Sequence, residues 1–255
     1  MKIDEVFCNT FKALRHELGH DRSRDLRPLW QRRLSTDSAF CRALVANGYL
    51  SEEQMLRAAE RYRLGCSRDG GVIFWQIDQM DQVYDGKIMY YRSDCHRDHD
   101  HKPSWVSYLL RKSSLLPMDW KSQHCLFGTH QLNLQFDNLR CTISATAGED
   151  RKPVAVVESE KTAVIMSELY PGYLWLAAGG LYELTAQKLF PLRGRKIILF
   201  PDTDEQGLAY ATWYRVVQEA QRLLGHSIHL SPLLEQRATK AQKAAKIDLV
   251  DLLFP

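Results

Sequence analysis

The sequence predicts an α/β fold: a Rossmann-like parallel sheet with flanking helices over residues 151–255, a smaller mixed α/β subdomain at 67–150, and a helical segment at 1–66. Two observations carry the prediction. Between Pro153 and Pro255, short apolar runs (VAVV, YLWLAAGG, KIILF, SIHL) alternate with helix-period stretches, the pattern of strands buried on both faces and joined by helical crossovers. Before them, Gly70–Arg92 places two runs rich in β-branched and aromatic residues on either side of a turn, the pattern of a hairpin.

The bulk properties suit such a fold. Of 255 residues, 45% are hydrophobic and 25% charged, with a formal net charge of +3, too mild to argue for a nucleic-acid partner by itself. No apolar segment is long enough to span a bilayer, and the polar start MKIDEVFCNTFKALRHELGH lacks the apolar region of a signal peptide, so a cytoplasmic protein with no membrane partner is expected. The six cysteines contain no C-x-x-C pair, which argues against both a disulfide framework and a zinc ribbon.

In the first segment Val6, Phe7, Phe11 and Leu14 share one helical face. Ser51-Glu52-Glu53-Gln54 is a capping box that starts a helix running from Glu52 to about Arg63. Between them Arg22, Arg24, Arg27, Arg32 and Arg33 are interleaved with Asp21, Asp25 and Asp37, a solvated face or a nucleic-acid patch that the mixed signs leave open.

The hairpin's first strand is read over Val72–Ile77, its turn at Asp78–Asp81, and its second strand over Lys87–Arg92. Lys87 and Arg92, with Trp75, Tyr90 and Tyr91 nearby, could hold single-stranded nucleic acid by phosphate contacts and stacking, or could be ordinary strand residues. Cys95, His96, His99 and His101 crowd the next loop without a recognised ligand spacing, which favours a hydrophilic turn over a metal site. SWVSYLLRK reads as a short amphipathic helix and CLFGTHQL as a compact turn around Gly128.

In the last hundred residues the acids gather where strands end. Glu158 follows VAVV, and Asp202 and Asp204 follow KIILFP. Alternate residues of an extended chain point the same way, so Asp202 and Asp204 could face one cation, while Gly207 lets the chain turn into the next helix. Hard oxygen ligands suit Mg²⁺ or Mn²⁺, with Glu158 completing the cluster or acting as general base. Lys161, in the first turn of the following helix, could meet a phosphate. LYELTAQKLF and LAYATWYRVVQEAQRLLG read as helices, and a basic linker is expected before DLVDLLF.

The order E-S-E-K-T-A, a strand ending in glycines, then P-D-T-D-E-Q-G resembles the toprim domain of bacterial replication-type primases, topoisomerases and certain nucleases. The resemblance implies that Glu158 is the general acid/base and that Asp202 and Asp204 bind magnesium. Glu160, Asp248 and Asp251 are further candidates, with helix N-capping as the alternative for the last two. Where many members carry E-G-x-x-D, this chain has Ser159 and Thr162. The hairpin VIFWQIDQMDQVYDGKIMYYR loosely resembles that of the primase core, which makes Lys87 and Arg92 candidates for phosphate contacts. The resemblance therefore implies a primase-type nucleotidyltransferase acting on single-stranded DNA and nucleotides with Mg²⁺ or Mn²⁺, and a replicative helicase as a further partner. A toprim nuclease and a non-catalytic nucleic-acid-binding accessory of mobile elements are the alternatives. No G-x-x-x-x-G-K-[ST] phosphate loop occurs.

Overall fold

A computed structural model describes residues 35–120, 122, 124–132, 134–137, 142–145, 152–225 and 227–254. The expected helix around Val6–Leu14 and the arginines between Arg22 and Arg33 lie outside them. Helix α1 (Ala39–Ala46) is capped by Ser38, and α2 (Glu52–Tyr62) begins with the Ser51/Gln54 box and ends at Arg63 in the left-handed region, φ 53°. Strands β1 (Gly65–Cys66), β2 (Val72–Ile77), β3 (Val83–Met89) and β4 (Ser104–Trp105) form an antiparallel sheet in that order, followed by α3 (Val106–Lys112).

The second hairpin strand spans Val83–Met89 rather than Lys87–Arg92, so Arg92 falls beyond it. The turn explains the earlier start. Asp78 Oδ1 accepts the amides of Met80 and Gln82, Tyr84 donates its hydroxyl to Oδ2, and pairing already begins at Ile77↔Val83, with a register shift before Gln76↔Asp85. Gly86 lies opposite Trp75, and a Cβ there would meet the indole at 2.8 Å and Ile73 Cγ2 at 2.8 Å. Because Trp75 is fully buried, Gly86→Ala should destabilise the fold by about 1–3 kcal/mol, read as a lower urea midpoint; an unchanged midpoint would refute this packing role.

A 3₁₀ turn at Thr129–Leu132 follows Gly128, whose φ of +89° gives the compact turn its bend. Strands β5 (Leu134–Asp137) and β6 (Thr142–Ala145) pair with each other as a two-stranded sheet. Then come β7 (Val154–Val157), α4 (Glu160–Leu169), β8 (Leu174–Ala177), β9 (Ile197–Phe200), α5 (Leu208–Leu224), β10 (His229–Leu230), α6 (Leu233–Arg237), α7 (Lys240–Ala245) and α8 (Leu249–Leu253). Here the parallel sheet is present, in the order β10-β9-β7-β8.

Both faces of this sheet are covered, as the unbroken apolar runs require. Ala155, Val157, Trp175 and Ala177 pack with α4 and α8 and, continuously, with α1, α2 and β2. Val154, Val156, Leu176 and Leu199 face α5 and the 3₁₀ segment Gln187–Leu192. Tyr62 joins the two halves: it donates to the Ala163 and Trp175 carbonyls and stacks on Phe127.

Two expectations are corrected. LYELTAQKLF is no α-helix: positive φ at Gly179 and Gly180 and Pro191 within the segment leave only the 3₁₀ turn. The basic linker is helical as α6 and α7, the latter started by a Thr239/Gln242 capping box. Among the described residues no helix is long and apolar enough to cross a membrane.

Candidate active site

Parallel strands that start in register also end in register. Val157 pairs with Ala177 on one side and Phe200 on the other, so Glu158, Gly179 and Asp202 emerge together at the carboxyl edge of the sheet. The Gly179 amide donates to the Glu158 carbonyl at 2.9 Å. Burial, with Asp248 and Asp204 adding to it, pushes the Glu158 carboxyl up to about 7, while the Leu181 backbone and Lys87 pull the other way. Asp202 is partly exposed but densely surrounded. Burial first, then the charges of Glu158, Asp248 and Asp251, hold its carboxyl well above the usual range.

Asp204 is turned elsewhere. Its Oδ1 accepts the amides of Gln206 and Leu208, and its Oδ2 that of Ala209 at 2.8 Å. The formal N-cap of α5 is Gly207, φ 66°, which has no side chain to offer, so Asp204 closes the helix start in its place. Burial works to raise the Asp204 pKa, but the three amides outweigh it and the net shift is downward. Asp204 still contributes its charge to the field at Glu158.

Ser159 sits at φ −98°, ψ 141°, ordinary extended backbone, and its hydroxyl accepts the Thr162 amide as the N-cap of α4. A glycine is not required at that position. Thr162 donates its hydroxyl to Asp248 Oδ2, and Asp248 Oδ1 caps α8 through the amides of Val250 and Asp251. Thus Thr162 and Asp248 join the starts of two helices beside the acids. Lys161 Nζ lies 4.0 Å from Asp248 and 3.9 Å from Asp251. Burial alone would lower its pKa; the two carboxylates together raise it.

Lys87 reaches in from β3. Its ammonium contacts both Glu160 oxygens at 3.0 and 3.1 Å and donates to the Gly179 carbonyl at 2.7 Å. Glu160 is buried, so this pair locks the hairpin to the sheet edge. Arg92 is remote from it, exposed and paired with Asp94. The histidine-rich loop is organised by aspartates: Asp94 accepts the His96 amide and Asp98 pairs with His101. Among the described residues no three His, Cys, Asp or Glu side chains converge as a metal cluster.

Beside Lys87 opens a pocket of about 210 Å³ lined by Gln76, Lys87, Trp105, His124, Gly179 and Lys188, among others. Sequence reasoning missed Gln76, Trp105, His124 and Lys188, which are scattered over four segments. The one local signal was the Gly179-Gly180 pair after an apolar strand.

The fold is thus a mixed α/β protein whose parallel sheet carries partly buried acids at its carboxyl edge. The chain belongs to the family described as Domain of unknown function (DUF6371), whose model matches residues 38–203. Among solved structures it is similar to the primase fragment of the bacteriophage T7 primase-helicase protein, at 16% identity and a TM-score of 0.43 over 78% of this chain. It spans 65% of that fragment's length. No curated protein matches the chain.

Proposed function

We propose that this chain is the core of a primase-type nucleotidyltransferase of the toprim class, acting on single-stranded DNA and nucleotides with a divalent metal. The observation that carries the proposal is the emergence of Glu158 and Asp202 side by side from β7 and β9, both held above the usual carboxylate range chiefly by burial, with the Glu158 charge adding to the cost of ionising Asp202. Two partly buried carboxylates fit a hard cation, since Mg²⁺ commonly takes one or two carboxylates and completes its shell with water and substrate phosphates. Glu158 and Asp202 would hold it, and Asp204, whose oxygens are engaged by amides, would add charge. When bound, the metal supplies neutralisation of the phosphates.

The chain's own groups account for the remaining roles. A Glu158 carboxyl near 7 can accept a proton from an attacking hydroxyl at neutral pH and return it. Lys87, fixed by Glu160, keeps positive charge beside Glu158. Lys161 acts as counter-charge to Asp248, Asp251 and Asp202 rather than as an open phosphate ligand. Arg92 can exchange Asp94 for a strand phosphate at the exposed end of the hairpin. The order of hairpin, E-S-E-K-T-A and P-D-T-D favours primer synthesis over hydrolysis.

The test is primer synthesis on single-stranded templates with nucleotides and Mg²⁺ or Mn²⁺. Wild type should give product and Glu158→Gln should lose about 10²–10⁴-fold in rate. Strand cleavage without nucleotides would assign a nuclease instead. Salt-dependent DNA binding without turnover, unchanged in Asp202→Asn, would assign a non-catalytic binder.

A further inference from the structure

The pocket beside the acids combines three chemistries that the proposed catalysis does not use. The first is aromatic: Trp105 and His124, which both line the cavity, stack with ring centroids 4.1 Å apart and planes 17° from parallel. The second is hydrogen bonding. Gln76 lines the pocket although only 2% of it is exposed, and His124 Nε2 is buried without a hydrogen-bond partner among the described residues, with Asp85 Oδ2 at 3.8 Å. The third is positive charge. Lys188 lines the wall and pairs with Glu183, itself about half exposed, at 3.2 Å.

The supports of this surface are rigid. Trp105 is the residue before α3, and Asp85 accepts the Ser107 amide at 2.9 Å and its hydroxyl at 2.5 Å, fixing that helix start against β3. Gly179 forms part of the opposite wall, where its carbonyl is held by Lys87. A volume of about 210 Å³ is below the roughly 300–1,000 Å³ of drug-sized sites, so the cavity takes one flat ring system with its substituent in the mouth.

We infer that this pocket is a nucleobase subsite: a base stacks on the Trp105–His124 surface, Gln76 contacts its polar edge, and Lys188 meets the attached phosphate. This names residues for the nucleotide side of the proposed function and rests on that reading. The ligand chemistry is a base bearing a phosphate, whether from a free nucleotide or from an unpaired residue of a strand.

Calorimetric titration in EDTA with adenosine, ATP and a short oligo-dA separates these sources and removes catalysis from the measurement. Wild type should bind at least one of them saturably; ATP alone or oligo-dA alone identifies the source. Trp105→Leu and His124→Asn should each weaken binding about tenfold for every ligand that binds. Lys188→Met should weaken the phosphate-bearing ligands several-fold and leave adenosine within about twofold. The subsite is refuted if no ligand binds wild type, or if both ring variants, shown folded by circular dichroism, keep wild-type affinity. An equal loss for adenosine and ATP in Lys188→Met refutes the phosphate contact. Binding by a protein that makes no primer sinks the catalytic reading alone, whereas primer synthesis with ring variants of unaltered affinity sinks the subsite alone.

Discussion

Glu158→Gln should be more stable than the wild type at pH 8, by about 1–3 kcal/mol, while losing whatever turnover the wild type has. The gain follows from the sign of the shift. Glu158 has an ordinary value of 4.5 and is held at about 7 in the fold, chiefly by burial and then by neighbouring acids. A carboxyl raised in this way favours the native state when protonated, so its contribution is complete below 4.5 and is lost as pH rises through 7. Glutamine mimics the protonated form. The stability difference between variant and wild type should therefore be small near pH 4, grow to about pH 7 and level off above it. The partial exposure of Glu158 keeps the gain below the full value of the shift. Asp202→Asn should move the same way, because burial and Glu158 raise its carboxyl too. Urea denaturation at three pH values measures this; a loss of stability, or a gain that does not vary with pH, would mean the acids are compensated in a way the geometry does not show.

Lys87→Met should be the most damaging single substitution at the sheet edge, costing about 3–5 kcal/mol. Glu160 has 3% of its side chain exposed and takes both its oxygens to the Lys87 ammonium, which is itself 13% exposed. Removing the ammonium leaves a buried carboxylate with no cation beside it, and it also releases the Gly179 carbonyl. The penalty belongs to the orphaned charge more than to the pair, so Lys87→Met combined with Glu160→Met should recover most of the loss. Thermal and urea unfolding of the single and double variants decide the point. A loss under about 1 kcal/mol in the single variant, or no recovery in the double, would show that the pair is dispensable.

The parallel sheet was legible because its strands are buried on both faces, which leaves an unbroken apolar signature in VAVV and IILF. The α2 helix was legible from its cap. The same kind of signal was present in Thr239-Lys240-Ala241-Gln242, but the basic residues around it read as a linker. Chain direction defeated the reading of Asp204: alternation along an extended strand puts two aspartates on one side, yet the segment after Pro201 bends toward a helix whose first residue is preceded by glycine, and the second aspartate is taken up there. The Trp105–His124 surface was illegible for another reason. Its two rings come from segments that only tertiary packing brings together, and the helical period of SWVSYLLRK gives no sign that its Trp105 meets His124.

The bridge between Phe127 and Ala177 bears on how this molecule behaves in company. β8 is the outer strand of the parallel sheet, and a bare outer strand offers its amides and carbonyls to any passing chain. Here Phe127 donates to the Ala177 carbonyl at 2.8 Å and accepts its amide at 3.1 Å, while its ring is clamped between Tyr62 and Phe74. One residue of a loop, anchored by two aromatic rings, thus takes up both backbone groups of Ala177 at the carboxyl end of that edge. The protein's own loop guards against self-templated aggregation at the end of the sheet where the acids gather.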